Sequence, residues 1–231
     1  MALTNPKDFK AFVELIPKKV LENTWFFPVR QDNKDPDVPR GTILKGNVNY
    51  RLSRYDALNR LKWGKNVGTY ALPLGLMFLD LDVFEEKFIA SNELITTISA
   101  IPTISVQSRN GGLQKYFLNN GKYANQLIKE NGVIVGELRT NWQYVVSIGS
   151  YVPPDEHNNG GDGTYRMKQE YASMIEFQEI PGLDRLTLVG EITPKPTKAE
   201  KSTWNNDTVK AEKISNESYA ELTRGRVRTR Y

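Results

Sequence analysis

The chain has 231 residues, of which 39% are hydrophobic and 25% are charged, a balance typical of a globular protein. Its 31 Lys and Arg against 27 Asp and Glu leave a net charge of +4, which is compatible with a polyanionic partner without requiring one. The absence of Cys excludes disulfides and Cys-based zinc sites, and no apolar run is long enough for a membrane span. Residues 1–10 lack the apolar core of a signal peptide, so we expect a soluble, cytoplasmic protein without a membrane partner.

Hydrophobic spacing and turn residues predict a mixed series of elements in the first half of the chain. Ser53 is a typical N-cap, and Gly64 is a typical helix stop. In chain order we expect a helix over 6–21 that Pro17 interrupts, a strand over 24–29, a turn region over 31–40, a helix between Ser53 and Gly64, a hairpin of strands 67–70 and 74–83, and a helix over 84–99.

The second half of the chain is predicted to be richer in strands. We expect strands over 103–107, 114–118, 133–138 and 143–148, short helices over 123–130 and 167–177, and an exposed loop over 151–163. The mixed order and short connections predict an α+β fold with a partly antiparallel sheet. The composition turns polar near residue 194. We therefore expect a folded domain over 1–192 and a polar, basic tail, or the start of a further helical region, over 193–231.

The segment LMFLDLDV, residues 76–83, places two acids on one face of a predicted strand. Because alternate side chains share a face, Met77, Leu79 and Leu81 should enter a core while Asp80 and Asp82 point the other way. Two carboxylates at this spacing repel each other unless a cation lies between them, and Mg²⁺ or Mn²⁺ prefers such oxygen ligands. The alternative is a solvated strand end with two ordinary surface acids.

Two further segments carry polar groups that could complete such a site. In VIVGELRTNWQYVVS, residues 133–147, Glu137 is an acid inside an apolar run, where it either binds a ligand or forms a surface pair with Arg139. On the predicted strand, Val133, Val135, Glu137 and Arg139 share one face. In SVQSRNGGLQKYFL, residues 105–118, a Gly turn is surrounded by the donors Ser108, Arg109, Gln114 and Lys115, and it is either an anion-binding nest or a plain hairpin turn.

Taken in order, GLMFLDLDV, SRNGGLQKYF and GELRTNWQYVVSIGS resemble the bifunctional primase-polymerase domain of the archaeo-eukaryotic primase superfamily, which occurs in replication proteins of plasmids and viruses. KWGKNVGTYALP resembles the strand and turn that precede the first acids in this family. The resemblance covers residues 20–150. It implies an RRM-like mixed or antiparallel sheet with flanking helices and a smaller N-terminal α/β module.

The resemblance also implies a function and a set of site residues. The activity would be that of a template-directed DNA primase and DNA polymerase, with two divalent ions, Mg²⁺ or Mn²⁺, held by the catalytic residues Asp80, Asp82 and Glu137. The residues implied in nucleotide binding are Ser108, Arg109, Gly111, Gly112, Gln114 and Arg139. At the position of Gln114 the family usually has His, so this chain offers a neutral amide there. The implied partners are single-stranded DNA template and primer, dNTP or NTP, and a helicase module or helicase partner.

Two other functions remain open from the sequence. A metal-dependent nuclease would use the same three acids. A non-catalytic DNA-binding replication module is favoured by the neutral Gln114, although the presence of all three acids argues against loss of activity. His157, the single His, is predicted to be a solvated loop residue.

Overall fold

The structure is a computed structural model that describes residues 4–84, 87–169, 174–178, 180 and 183–187. In chain order the elements are α1 (Pro6–Leu15), α2 (Lys18–Glu22), β1 (Phe26–Val29), a 3-10 helix (Val48–Tyr50), α3 (Arg54–Lys62), β2 (Asn66–Tyr70), β3 (Leu76–Leu81), β4 (Val83–Phe84), β5 (Lys87–Phe88), α4 (Asn92–Ala100), β6 (Ser105–Gln107), β7 (Leu113–Leu118), β8 (Gln126–Glu130), β9 (Val133–Arg139), β10 (Tyr144–Val146), β11 (Arg166–Gln169) and β12 (Asp184–Thr187). Neighbouring strands pair antiparallel throughout these elements, so the fold is of the α+β class, as the sequence predicts.

We call α1, α2, α3 and the three-stranded sheet β1–β2–β10 the N-terminal layer. Pro17 separates α1 from α2, because proline lacks the amide that a continuing helix needs. The side chain of Ser53 caps α3 by accepting a hydrogen bond from the Asp56 amide at 3.1 Å, and Gly64 follows the helix with φ of +72°. The predicted break and both predicted limits of α3 are confirmed.

The main sheet has seven strands in the order β11–β6–β7–β3–β9–β8–β12, with β3 at its centre. The hairpin predicted from strands 67–70 and 74–83 is wrong. β2 is the middle strand of the N-terminal layer and β3 is the middle strand of the main sheet, so each strand uses both edges for other partners. The chain passes between the two sheets through a tight turn in which the Gly75 amide donates to the Leu72 carbonyl at 3.0 Å.

The main sheet has a separate hydrophobic core on each face. On one face, Phe78 and Tyr116 pack with residues of the N-terminal layer, and the rings of Phe12 and Tyr116 lie 5.4 Å apart. On the other face, the side chains of β3 pack against α4 in a cluster that includes Met77, Leu79, Leu81, Leu94 and Ile98. The predicted alternation along β3 is confirmed, and it directs Asp80 toward the side of the N-terminal layer.

Three predicted helices are corrected. The segment predicted as a helix over 123–130 forms the strand β8, because Asn131 and Gly132, with φ of 51° and 80°, make a two-residue hairpin turn that pairs it with β9. Residues 167–169 of the helix predicted over 167–177 belong instead to the strand β11, which pairs with β6. The helix predicted from residue 84 begins only at Asn92, where Ser91 accepts from the Leu94 amide at 3.1 Å.

The alternation predicted along β9 holds for Glu137, Leu138 and Arg139 but is wrong at Val135, because the strand contains a bulge there. The register with β8 shifts between Ile128 and Lys129, which leaves Val135 as an extra residue on β9. Val135 and Leu138 therefore enter the same hydrophobic cluster on the α4 side of the sheet. Glu137 keeps its register opposite Asp80 and faces the N-terminal layer.

Within the part of the chain that the structure describes, no helix is long and apolar enough to cross a membrane. The domain limit expected at residue 192 and the tail expected over 193–231 lie outside the described residues and stay predictions.

Candidate functional site

The three acids predicted from the sequence lie close together at the centre of the main sheet. Asp80 of β3 is directly opposite Gln114 of β7 on one side and Glu137 of β9 on the other. Side chains that are directly opposite in neighbouring strands share a face, with Cβ atoms about 4.5–5.5 Å apart. Asp82 follows β3, and its amide donates to the Val135 carbonyl at 2.9 Å.

Arg139 pairs with the two acids of the strands. Its Nη2 lies 3.0 Å from Asp80 Oδ2 and 3.2 Å from Glu137 Oε2. Its Nη1 donates to the backbone carbonyl of Tyr144, the first residue of β10 in the N-terminal layer. The ion pair between Glu137 and Arg139 that the sequence offers as an alternative is therefore present. It also includes Asp80, and it is largely enclosed rather than on the surface.

Asp82 is accessible to solvent but experiences the charge of the other two acids. Partial loss of hydration, together with the negative charges of Asp80 and Glu137, raises the pKa of Asp82 to about 6. The positive charge of Arg139 opposes this effect. The group of acids is thus short of positive charge even with Arg139 in place.

The donor chemistry of this site fits a hard divalent cation, since three carboxylates converge and favour an added positive charge. The arrangement is not a preformed metal site, however. In the described ranges, no group of three or more His, Cys, Asp or Glu side chains has the arrangement of metal ligands. Asp80 and Glu137 would have to share or release Arg139 in order to bind Mg²⁺ or Mn²⁺.

The predicted Gly turn, residues 108–112, lies beside the end of β3. A Cβ atom on Gly112 would be 3.2 Å from the Leu81 carbonyl, so the turn touches the strand that carries the acids. Gly111 has φ of +87°, and a Cβ atom there would be 2.1 Å from the Asn159 carbonyl oxygen. Only glycine fits at this point, because the chain near Asn159 lies directly on the turn.

The loop predicted to be exposed, residues 151–163, in fact folds over the Gly turn. Asp155 accepts hydrogen bonds from the side chains of Arg109 and Asn110, and its own amide donates to Asn110 Oδ1 at 3.2 Å. Arg109 Nη1 also donates to the Pro153 carbonyl at 3.1 Å. The predicted nucleotide-binding residue Arg109 is therefore held by this loop. His157 lies in the same loop, with its side chain 38% exposed.

The other predicted donors around the turn differ in position. Gln114 is only 4% exposed, and its Oε1 is buried without a hydrogen-bond partner within the described structure. Ser108 lies at the turn itself, where its Oγ would be 2.7 Å from a Cβ atom on Gly112. The structure therefore keeps both residues beside Asp80 and the end of β3.

Lys115 does not belong to this site, which corrects the expectation from the sequence. As the neighbour of Gln114 in β7 it points to the opposite face. Its ammonium donates to the Ser99 and Ile101 carbonyls at 3.2 Å and 2.8 Å, at the end of α4. Burial lowers the pKa of Lys115 to about 8.

Sequence reasoning missed two charged residues near the acids. Asp155 holds Arg109, and Lys34 of the N-terminal layer interacts electrostatically with Asp80 and Asp155. Both residues lie in segments of turn composition, where an acid or a lysine is common. No local pattern distinguishes them from solvated loop residues.

Comparison with known proteins does not identify the chain. No family model matches the sequence, and no curated protein is similar enough to be called a relative.

Proposed function

We propose that this chain is a template-directed nucleotidyltransferase of the primase-polymerase kind, acting on single-stranded DNA template, primer and nucleoside triphosphates. The observation that carries the proposal is the meeting of Asp80, Asp82 and Glu137 at the centre of an antiparallel sheet, beside a Gly turn. The order of the motifs, which resembles the archaeo-eukaryotic primase superfamily, supports the same function. An antiparallel sheet that carries the acids is also compatible with the expected RRM-like architecture.

In this proposal the acids bind Mg²⁺ or Mn²⁺. When bound, the two ions would lower the pKa of the attacking hydroxyl and neutralise the triphosphate and its leaving group. Asp80, Asp82 and Glu137 would hold these ions, since Asp80 is directly opposite Glu137 and Asp82 follows β3.

The protein groups that would contact the nucleotide lie at the Gly turn and on β9. Ser108 and the turn are next to the carbonyl of Leu81, one residue before Asp82. Arg139 supplies positive charge to the acids, and both Arg109 and Arg139 act electrostatically on Lys34. Such groups catalyse phosphoryl transfer by positioning and by neutralising charge, with little acid–base chemistry by side chains.

One observation favours a second candidate, a non-catalytic DNA-binding replication module. Arg139 already bridges Asp80 and Glu137, so two of the three acids have a cationic partner without metal. In such a module the acids would stabilise the sheet, and the basic residues would bind backbone phosphates.

Primer extension with a labelled primer–template distinguishes the candidates. The primary proposal predicts nucleotide-dependent extension in Mn²⁺ or Mg²⁺, and its loss in Asp80→Asn and Glu137→Gln. Asp37→Asn is the matched control, because Asp37 pairs with Arg60 in the N-terminal layer and not with the acids of the site. Shortening of the primer without nucleotides would indicate a nuclease. DNA binding that is unchanged by Asp80→Asn, with no extension by the parent, would favour the non-catalytic module.

A further inference from the structure

The loop after β1 is an ordered turn with Lys34 at its tip. The Arg30 amide donates to the Asp35 carbonyl at 2.9 Å, and the Asp37 amide donates to the Pro28 carbonyl at 2.8 Å. These backbone hydrogen bonds close the turn on both sides of Lys34. The position of its backbone is therefore fixed, while its side chain is exposed.

A chain of contacts connects this turn to the acids. The Tyr144 hydroxyl donates to the Lys34 carbonyl at 3.3 Å across 110 residues of sequence. The Tyr144 carbonyl accepts from Arg139, whose guanidinium pairs with Asp80 at 3.0 Å. The Lys34 ammonium in turn interacts electrostatically with Asp80. The turn after β1 thus places a lysine within electrostatic range of Asp80 and Asp82.

Lys34 differs from the two arginines described near the acids in the pairing of its charge. Arg139 is paired with Asp80 and Glu137, and Arg109 is paired with Asp155. Among the residues that the structure describes, no ion pair involves Lys34. Its pKa is lowered, first by partial loss of hydration and then by the repulsion of Arg109 and Arg139, which the attraction of Asp80 and Asp155 partly offsets.

Unpartnered donors at the same place indicate that a ligand belongs there. Nε of Arg109 and Nε of Arg139 are both buried and have no hydrogen-bond partner in the described structure. Buried donors without acceptors are rare and call for an unseen acceptor such as an anion or water.

We propose that Lys34 is a phosphate-binding residue, contributed by the N-terminal layer, that contacts the triphosphate of the incoming nucleotide. The inference rests on the proposed function, in which divalent ions occupy the acids. Without such ions, the carboxylates outnumber the cations and would repel a triphosphate; the groups are Asp80, Asp82, Glu137 and Asp155 against Lys34, Arg109 and Arg139. Once such ions occupy the acids, the unpaired charge of Lys34 faces the phosphates. Gln114 has no charge to offer them, so Lys34 supplies what Gln114 lacks.

Nucleotide binding, measured without any turnover, tests this role. A fluorescent deoxynucleoside triphosphate is titrated with protein in millimolar Mg²⁺, and its anisotropy is followed for the parent, Lys34→Gln, Lys34→Arg and Lys65→Gln. A hydrogen bond to a charged group contributes enough that Lys34→Gln should weaken triphosphate binding about tenfold to a hundredfold. Lys34→Arg should recover most of the affinity. Lys65 is exposed and follows α3 in the N-terminal layer, so Lys65→Gln should bind as the parent does.

Two negative outcomes are distinguishable. If the parent binds no triphosphate with Mg²⁺, the proposed function is wrong and this role of Lys34 is wrong with it. If the parent binds and Lys34→Gln binds equally well, the proposed function stands and the role of Lys34 alone is wrong. A fold defect is not expected, and equal melting temperatures of Lys34→Gln and the parent would show that lost affinity comes from the missing ammonium.

Discussion

Replacing Arg139 by Gln should make the stability of the protein depend on divalent metal. The substitution leaves Asp80 and Glu137 directly opposite each other without a cation, and like charges at opposite positions of a sheet are destabilising. Removing one partner of a fully buried pair costs about 3–5 kcal/mol. The side chain of Arg139 is 23% exposed, with Asp80 at 17% and Glu137 at 33%. We therefore expect a loss of about 2–3 kcal/mol in the free energy of unfolding when metal is absent.

The size of this loss sets the assay. For a domain of this length each kcal/mol changes the melting temperature by about 2–4 °C, so Arg139→Gln should melt about 4–12 °C below the parent in EDTA. A bound ion stabilises the folded state by about 2.7 kcal/mol at one hundred times its Kd. Thermal denaturation followed by circular dichroism, in EDTA and across a Mn²⁺ titration, should therefore show that Mn²⁺ restores most of the loss. The gain should exceed that of the parent, because the parent keeps Arg139 on the acids.

Arg60→Gln is the matched control for this experiment. Arg60 is a similarly enclosed arginine, 17% exposed, that pairs with Asp37 and donates to the Asn66 carbonyl at 2.8 Å. Its loss should lower the melting temperature without any special recovery in Mn²⁺. The reasoning is refuted if Arg139→Gln melts with the parent in EDTA, or if Mn²⁺ raises both arginine variants by the same amount.

Three further substitutions test the electrostatics and packing of the fold. The pKa of Asp82 is raised to about 6, so its charged carboxylate lowers the free energy of unfolding above that pH and has no effect below about pH 4. In urea unfolding, Asp82→Asn should therefore be as stable as the parent at pH 4 and about 1 kcal/mol more stable at pH 7, after allowance for solvent screening. A stability difference that does not change with pH would contradict this. The pKa of Lys115 is lowered to about 8, so the unfolded chain keeps the Lys115 proton up to a higher pH than the folded chain does. Between pH 8 and 10.5 the stability of the parent should therefore rise by about 3 kcal/mol relative to that of Lys115→Met. Parallel pH profiles of the two proteins would show that the ammonium is not buried in this way. In Gly136→Ala the new Cβ would lie 2.2 Å from the Asp80 carbonyl oxygen. The variant should therefore lose about 1–3 kcal/mol of stability together with its extension activity. Stability and extension activity equal to those of the parent would mean that β3 and β9 can separate freely.

Local signals in the sequence predict the elements best. Pro17, Ser53 and Gly64 act within one helical turn of their own position, so their effects do not depend on the rest of the fold. The alternation along β3 is similarly local, because both faces of this central strand are covered and each needs its own residue types. These features could be read without knowledge of any partner strand.

The misread elements depend on turns and on distant partners. The Asn131–Gly132 turn is itself a hairpin signal for a strand, and it outweighs the apolar spacing that predicts a helix over 123–130. The bulge at Val135 cannot be inferred from β9 alone, because it exists only relative to β8. The partners of β2 and β3 likewise follow from the packing of two sheets rather than from the short connection between them.

The candidate site divides in the same way. The three acids, on or directly after two strands, were predictable from spacing and from the order of the motifs. The contacts of Tyr144 with Lys34, and of Arg109 with Asp155, join residues that are far apart in sequence and lie in or near irregular segments. Such contacts become visible only when the loops are placed in three dimensions.

The central claim is that the chain adds the nucleotide that a template specifies. The most direct measurement is single-nucleotide addition to a labelled primer in Mn²⁺, with four templates that differ only in the first unpaired base and with one nucleotide supplied at a time. The account predicts that the complementary nucleotide is added preferentially on each template, and that Asp80→Asn adds none. Addition that ignores the template, an active Asp80→Asn, or a parent that extends no primer in either metal would contradict it.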